Sequence, residues 1–363
     1  MYDMNKNFDS WLKEQKVLVC LGPGGVGKTT TAIALAFRAA ALGKKIGLLS
    51  IDPARRLAQA LGLTSLEPTR IPSPTHGQGF VDAQMIDPKN IFDRMVERHG
   101  HGNTKKIVNH PLYQAVSLKL AGSLEYMALA KLDEMISAGG YDLVILDTPP
   151  DNHALEFLSR PSILGGFVEY KVLPWLIKPF HHASRFGITK LFLGGEKLMG
   201  SLAKVTGLEA LQLTAEFLVL MQRVIQGFYE SSERMKTILR APKTAYVLVT
   251  RPQNIPILTA QELAKELLKK GFSLDVILFN RCLPKGLVKN IKKSGEKALV
   301  DLGYGSLWDR KKSERTLQKE LLEVLWTLGS TPFALGIPED LQGIQTPSSL
   351  WEMASQFEPV VLT

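Results

Sequence analysis

A chain of 363 residues, 45% hydrophobic and with a mean hydropathy near zero, can bury a large core as one big domain or two, and it contains no run approaching the roughly 20 apolar residues of a membrane-spanning helix. Its 44 basic and 35 acidic residues give +9, a balance that favours acidic partners such as nucleotides, anionic lipid or nucleic acid without choosing among them. The only cysteines, Cys20 and Cys282, exclude a disulfide framework and a cysteine-bridged zinc site, and both are expected as buried reduced thiols. The start, MYDMNKNFDSWLKEQK, is polar and lacks an apolar signal region, so the cytoplasm is the default location.

The first predicted strand is Val17 to Leu21, followed by a glycine-rich loop and an alanine-rich helical run from Thr30 to Leu42. Further strands are expected at Lys45 to Asp52, Phe80 to Gln84, Leu143 to Asp147, Ala245 to Thr250 and Val276 to Asn280. Between the second and third, RIPSPTHGQG at 70–79 reads as a loop. Helical patterns separate most strands, which predicts an α/β fold: a mostly parallel P-loop NTPase sheet covered by helices on both faces. Two stretches break the alternation, from about Pro88 to Ser137 and from about Ala154 to Arg240. They read as helices in succession, a helical subdomain inserted in the core. No internal repeat is evident.

Gly22, Gly27, Lys28 and Thr29 satisfy G-x-x-x-x-G-K-[ST] between strand and helix. Such glycines let successive N–H groups turn inward around a polyphosphate, and the helix N-terminus adds partial positive charge. Gly24, Gly25, Val26 and Gly27 are the expected cradle and Lys28 reaches the β- and γ-phosphates. Thr29 places its hydroxyl on Mg²⁺, and Thr30 bonds the α-phosphate. Asp52 ends a strand, where a carboxylate orients an attacking water; standing before Pro53 it also fits a helix N-cap, and the two roles are compatible. Arg55 and Arg56 read equally as charge neutralisers at a phosphate site and as solvated helix arginines. Asp147 matches the acidic strand end that holds Mg²⁺ through water. Thr148, Pro149 and Pro150 then open a loop containing Asp151 and His153, in which His153 reads as a hydrogen-bonding loop residue rather than a metal ligand. The pairs His99/His101 and His181/His182 also lack the spacing of a metal site.

Phe217, Leu218, Met221, Val224, Ile225 and Phe228 form one apolar stripe at helical spacing, read first as part of the protein's own core and second as a groove for an apolar client. Trp175, Leu176, Ile177 and Phe180 lie beside Lys171, Lys178, His181, His182 and Arg185, a pattern shared by membrane-surface helices and by ordinary ones with snorkelling basic residues. From Arg160 to Lys243 there are 12 Lys/Arg against 6 Asp/Glu, so the basic excess is local.

"GPGGVGKTTTA", "SIDPARRL", "DTPPDNHAL" and "VILFNR", in this order and spacing, resemble the arsenite-pump ATPase (ArsA) and tail-anchored-protein targeting ATPase family, of the deviant-Walker class that also holds MinD and ParA. "AGSLEYMALAKLDEM" and "FVDAQMIDPKNIFDRMV" look like its bacterial "anion-transporting ATPase" branch. The resemblance implies a single ATPase domain over 1–363, with a nucleotide core at 14–87, 138–153 and 244–363 and helical insertions at about 88–137 and 154–243. It places Asp52 in switch I and 147–153 in switch II. It also brings Asn280 with Arg281 to adenine, implying ATP rather than GTP. "LGIPEDLQGI" is similar to the family's last nucleotide-side loop.

One position departs from the family. Where it carries a signature lysine that crosses a dimer interface to the partner's phosphates, this chain has Pro23, with neither the charge nor an N–H. The dimer implied by the resemblance is then a homodimer in which Arg55 or Arg56 substitutes, a heterodimer with a related ATPase chain that supplies the lysine, or a slow hydrolase that uses binding alone. Arsenite extrusion needs three soft thiolates, which two strand-borne cysteines do not form. The remaining expectation is a Mg²⁺-dependent ATP switch whose helical insertion binds an apolar client or membrane-protein partner, with nucleic acid not the expected partner. The alternatives are a MinD/ParA-like positioning switch acting on membrane or nucleic acid, and a regulatory ATPase subunit that needs a lysine-bearing partner.

Overall fold

The computed structural model describes residues 7–51, 56–62, 68–73, 79–114, 124–149, 208–284, 305–340 and 347–360, with 117, 295, 297, 300 and 301. They divide between two compact units, one formed by Met1–Ile86, Glu134–Ser159 and Thr237–Thr363, the other by Asp87–Asp133 and Arg160–Lys236.

The first unit is built on a sheet that has nine strands among the described residues: β1 (Val17–Leu21), β2 (Lys45–Ser50), β3 (Thr69–Pro72), β4 (Phe80–Met85), β5 (Leu143–Asp147), β6 (Thr244–Thr250), β7 (Val276–Cys282), β8 (Phe333–Pro338) and β9 (Glu358–Pro359). Their order is β3-β4-β2-β5-β1-β6-β7-β8-β9. All pairs are parallel except β3 with β4 and β8 with β9, so antiparallel strands close both edges. β1, β5 and β6 are buried at every residue, as central strands covered on both faces must be. The run at 70–79 is not wholly loop: Arg70, Ile71 and Pro72 belong to β3. Arg70 is fixed there by a two-pronged bond to Asp82 of β4, both N···O distances being 2.8 Å. Pro72 is tolerated because the strand is an edge.

Helix α1 (Phe8–Glu14) and helix α2 (Lys28–Ala41) pack on one face of this sheet together with the C-terminal helix Pro347–Ser355. The alanines of α2 (Ala32, Ala34, Ala36, Ala39, Ala40) are fully buried, and their small side chains let the helix lie close to the strands. Phe37 of α2 stacks on Trp351 at 3.9 Å. Ala245, Val247 and Val249 of β6 and Val276 and Leu278 of β7 join this cluster. The alternate residues Tyr246, Leu248, Ile277 and Phe279 are buried on the opposite face by the pleat. Following α3 (Arg56–Leu61) in this unit are two longer helices that accompany β6, β7 and β8, at Asn254–Lys269 and Gly305–Thr327.

The second unit is helical. Helix α4 (Pro88–Gly100) starts with Asp87 as N-cap, its carboxylate accepting from Asn90 N at 3.1 Å, and Pro88 in the first turn. α5 (Thr104–Val108) follows. Two helices, α6 (Leu124–Ser137) and α7 (Leu208–Leu239), run from this unit into the first. Asp133 of α6, almost fully buried, accepts from Ser231 Oγ at 2.8 Å and from Arg234 Nη2 at 2.6 Å on α7, so its charge is paired. Phe217, Met221, Val224 and Phe228 are buried within the unit, Phe228 stacking on Phe92 at 5.9 Å. The apolar stripe therefore serves the unit's own core. The expectations at residues 150–207, including the Trp175 cluster and the loop residues Asp151 and His153, lie outside the described residues. With the longer helices in chain order, Asn254–Lys269 is α8, Gly305–Thr327 is α9 and Pro347–Ser355 is α10. Among the described residues no helix is long and apolar enough to cross a membrane.

Candidate functional site

Strand order reverses around β1: the chain leaves it for β2 on one side, while β6 flanks it on the other. In open α/β sheets the crevice for a ligand lies at the carboxyl ends of strands at such a point. The loop from Gly22 to Gly27 occupies it and delivers Lys28 and Thr29 as the first residues of α2. Two glycines are obligatory. A Cβ on Gly22 would sit 2.1 Å from Val249 O, and one on Gly27 would sit 2.3 Å from Asn280 Nδ2. Gly27, at φ 92°, also holds the left-handed conformation from which α2 begins. Gly24 and Gly25 are exposed at the rim, whereas Pro23 and Val26 are buried.

Lys28 is buried, and its ammonium donates to Gly22 O and Pro23 O, both at 2.9 Å. Pro23 thus presents its carbonyl to Lys28. Thr29 Oγ1 donates to Asp147 Oδ2 at 2.8 Å, and Ser50 Oγ donates to the same oxygen at 2.8 Å. Register explains the convergence: β5 lies between β1 and β2, with Asp147 opposite Cys20 on one side and Ser50 on the other. Ser50 is a member the sequence reading missed, although its place at the end of β2, two residues before Asp52, was the available signal. Thr148 Oγ1 donates to Cys20 O at 2.7 Å and ties the start of the loop after β5 to β1. Burial, and then the neighbouring Asp147, push the Cys20 thiol well above its ordinary pKa, so it is an inert core residue. Cys282 is pushed up to about 12 by burial and Glu314, and both thiols are free.

Asn280, at the end of β7, donates from Nδ2 to Val26 O at 2.8 Å, and its Oδ1 accepts from Arg281 N at 2.9 Å. Its amide therefore props the phosphate-loop backbone from the far side of β6. Arg281 is not part of that constellation. It has φ 57° at an irregularity in the β7–β8 register, and its carbonyl accepts from Arg310 of α9 at 3.2 Å. Thr30 is half-buried one residue beyond Thr29. Asp52 and Arg55 lie outside the described residues, and Arg56 is exposed at the start of α3.

The chemistry of this set suits a phosphate chain with a hard cation. The loop is shaped where side chains cannot fit, a buried ammonium stands inside it, and a hydroxyl meets a carboxylate at its mouth. Among the described residues no group of three or more His, Cys, Asp or Glu could hold a metal by protein ligands alone. Magnesium, which keeps most of its waters, asks for less than that.

Comparison with known proteins agrees with this chemistry. Residues 15–301 match the family described as Anion-transporting ATPase, ArsA_ATPase. The chain is similar to "ATPase GET3" of Malassezia globosa, 28% identical over 75% of this chain and 74% of that protein, and to "ATPase get3" of Aspergillus niger, 26% identical over 72% and 71% respectively. "ATPase get3" of Schizosaccharomyces japonicus is 33% identical over a shorter stretch, 39% of this chain and 43% of that protein. These relatives are fungal, so the likeness they carry is to the family and not to its bacterial branch. A family match over most of the chain, joined to a glycine-shaped loop with Lys28, Thr29 and Asp147 in place, makes this chain a member of the ArsA family of ATPases.

Proposed function

We propose that the chain is a Mg²⁺-dependent ATP switch that works as a dimer and couples its nucleotide state to a partner- or client-binding surface on its helical unit. The observation that carries the reading is the Thr29–Asp147–Ser50 oxygen cluster at the mouth of the Lys28 loop. In this mechanism the backbone amides of Gly24, Gly25, Val26 and Gly27 surround the phosphates, and Lys28 exchanges its two carbonyl partners for β- and γ-phosphate oxygens. Thr30 bonds the α-phosphate. Thr29 and Asp147 would hold Mg²⁺, which would supply charge neutralisation at the phosphoryl group. Asp52 orients the attacking water. Asn280 lines the adenine, holding the loop and the base together.

Thr148, bonded to Cys20 O, is the hinge from which the following loop passes the γ-phosphate's presence to the helical unit. The client class is an apolar protein segment, consistent with the targeting ATPases the motifs resemble, and the setting is the cytoplasm. Because Pro23 offers no charge across a dimer, the preferred assembly pairs this chain with a related, lysine-bearing ATPase. The homodimer with Arg55 or Arg56 compensating is the second form. The local basic excess from Arg160 to Lys243 favours one other reading, a positioning switch on an anionic surface, which salt-sensitive binding of anionic vesicles in the ATP state would reveal.

The decisive experiment measures ATP hydrolysis and light-scattering mass over a concentration series, with and without Mg²⁺, beside Lys28→Ala. Turnover that rises as dimers form supports the self-sufficient switch. Tight ATP binding with negligible turnover points to the lysine-bearing companion. An inability to bind ATP would end the proposal.

A further inference from the structure

On the face of the sheet opposite α2, a pocket of about 280 Å³ opens between the N-terminus of α8 and the side of α9. Arg251, Pro252, Gln253 and Asn254 form one wall, while Arg281, Arg310, Ser313 and Glu314 are prominent on the other. Three guanidinium groups thus meet in one cavity. Arg310 is engaged through two of its nitrogens: Nε donates to Glu314 Oε1 at 2.9 Å, and Nη2 donates to Glu339 Oε2 at 2.8 Å and to Arg281 O. Those bonds hold Arg310 above its ordinary pKa even though burial works against its charge. Both carboxylates in reach are therefore spent on one arginine.

Arg251 and Arg281 have no carboxylate within ion-pair distance among the described residues. Arg251 Nε is buried and makes no hydrogen bond there, an unfavourable arrangement unless something else accepts from it. Burial, then the like charge of Arg281, lower the pKa of Arg251; Glu339 works against them and Arg310 adds to them, so the cations outweigh the counter-charge. Arg281, an exposed residue of β7, holds the left-handed conformation at the β7–β8 irregularity and lines the pocket beside Arg251. The first turn of α8, a 16-residue helix with no side-chain N-cap bond, adds its own N–H groups to the pocket.

We propose that this pocket is a second oxyanion site, built to take a phosphate group, free or carried on a small molecule, on Arg251, Arg281 and the open end of α8. A planar guanidinium presents paired N–H groups that match two oxygens of a phosphate, and two of them on one anion supply the counter-charge the cavity lacks. Arg310, held rigid by Glu314 and Glu339, is the wall that positions Arg281 through its carbonyl. The volume exceeds that of inorganic phosphate, leaving room for a small organic body. The site is separate from the phosphate loop and stands or falls without the ATPase reading.

The test is calorimetric titration of inorganic phosphate into the full chain with ADP at saturation, repeated with Lys28→Ala, Arg251→Ala and Arg251→Lys. The expected result is one phosphate site that survives both ADP and Lys28→Ala. Arg251→Ala should weaken it by about tenfold or more, and Arg251→Lys, which keeps the charge but not the fork, by less. Unchanged ADP binding by the Arg251 variants shows that they fold. Phenyl phosphate binding more tightly than inorganic phosphate would identify a carried phosphate, and equal or weaker binding a free one. The proposal is overturned by the absence of a phosphate site under ADP, or by one that Lys28→Ala abolishes and Arg251→Ala leaves intact.

Discussion

The carboxyl edge of one sheet carries two cationic centres, and they are satisfied differently. In the phosphate loop the buried ammonium of Lys28 has two main-chain carbonyls at 2.9 Å and is complete without a ligand. Across the sheet, Arg251 keeps a buried Nε that nothing among the described residues accepts. A cation resting on backbone oxygens can trade them for a phosphate and return, which suits a cycle of binding and release. A cation without an acceptor gains more from a ligand than it loses, which suits retention.

The strongest break in that comparison is Lys28→Ala. It removes the exchangeable cation and should lower ATP hydrolysis by roughly 1,000-fold, read as steady-state phosphate release, with the fold unchanged by circular dichroism. Asp147→Asn comes next. Thr29 and Ser50 keep an acceptor but the cation loses its carboxylate, so half-maximal Mg²⁺ should rise by about 10- to 100-fold in a metal titration of the same assay.

A smaller effect separates two glycines of the loop. Gly27→Ala combines left-handed backbone with a 2.3 Å clash on Asn280 and should cost about 2–3 kcal/mol in denaturant unfolding. Gly25→Ala, at φ 75° with nothing within 4 Å of its added Cβ, should cost only about 1 kcal/mol. Equal losses would mean that strain, not the Asn280 contact, sets the loop.

The least effect sharpens the contrast with a third buried cation. Lys44 donates to Lys13 O at 2.7 Å and Gln15 O at 2.8 Å at the C-terminal end of α1, yet burial and then Lys16 lower its pKa to about 8. Its folded value lies below the ordinary 10.5, so the unfolded chain binds more protons between the two. Stability should therefore rise with pH across that window and be lost as pH falls through about 8. Lys44→Met should flatten the rise, measured as the difference in urea midpoint between about pH 7 and about pH 10.

The parallel core was legible because its strands announce themselves: VLVCL, LVILD and VILFN are apolar at every position of the strand body, as burial on both faces demands. The loop was equally legible, since spacing alone names Lys28 and Thr29. β3 was not, because TRIP reads as a turn until Asp82 is known to clasp Arg70 across an edge pairing. Ser50 was missed for a related reason: its partner is 97 residues away and is brought close only by the β2–β5 register. The arginine pocket was invisible in the sequence, where Arg251, Arg281 and Arg310 stand about 30 residues apart in an already basic chain.

The Asn280–Val26 bond joins positions 254 residues apart, and Asp147 reaches Thr29 across 118. A loop that is written near the start of the chain is thus finished by residues translated long afterwards. During synthesis, Gly22 to Thr29 emerge early but stay without their props until β5 and then β7 have left the ribosome and paired. Competence to hold a nucleotide is consequently a late event in the making of this protein, and a chain truncated before Asn280 would carry the whole motif without its support.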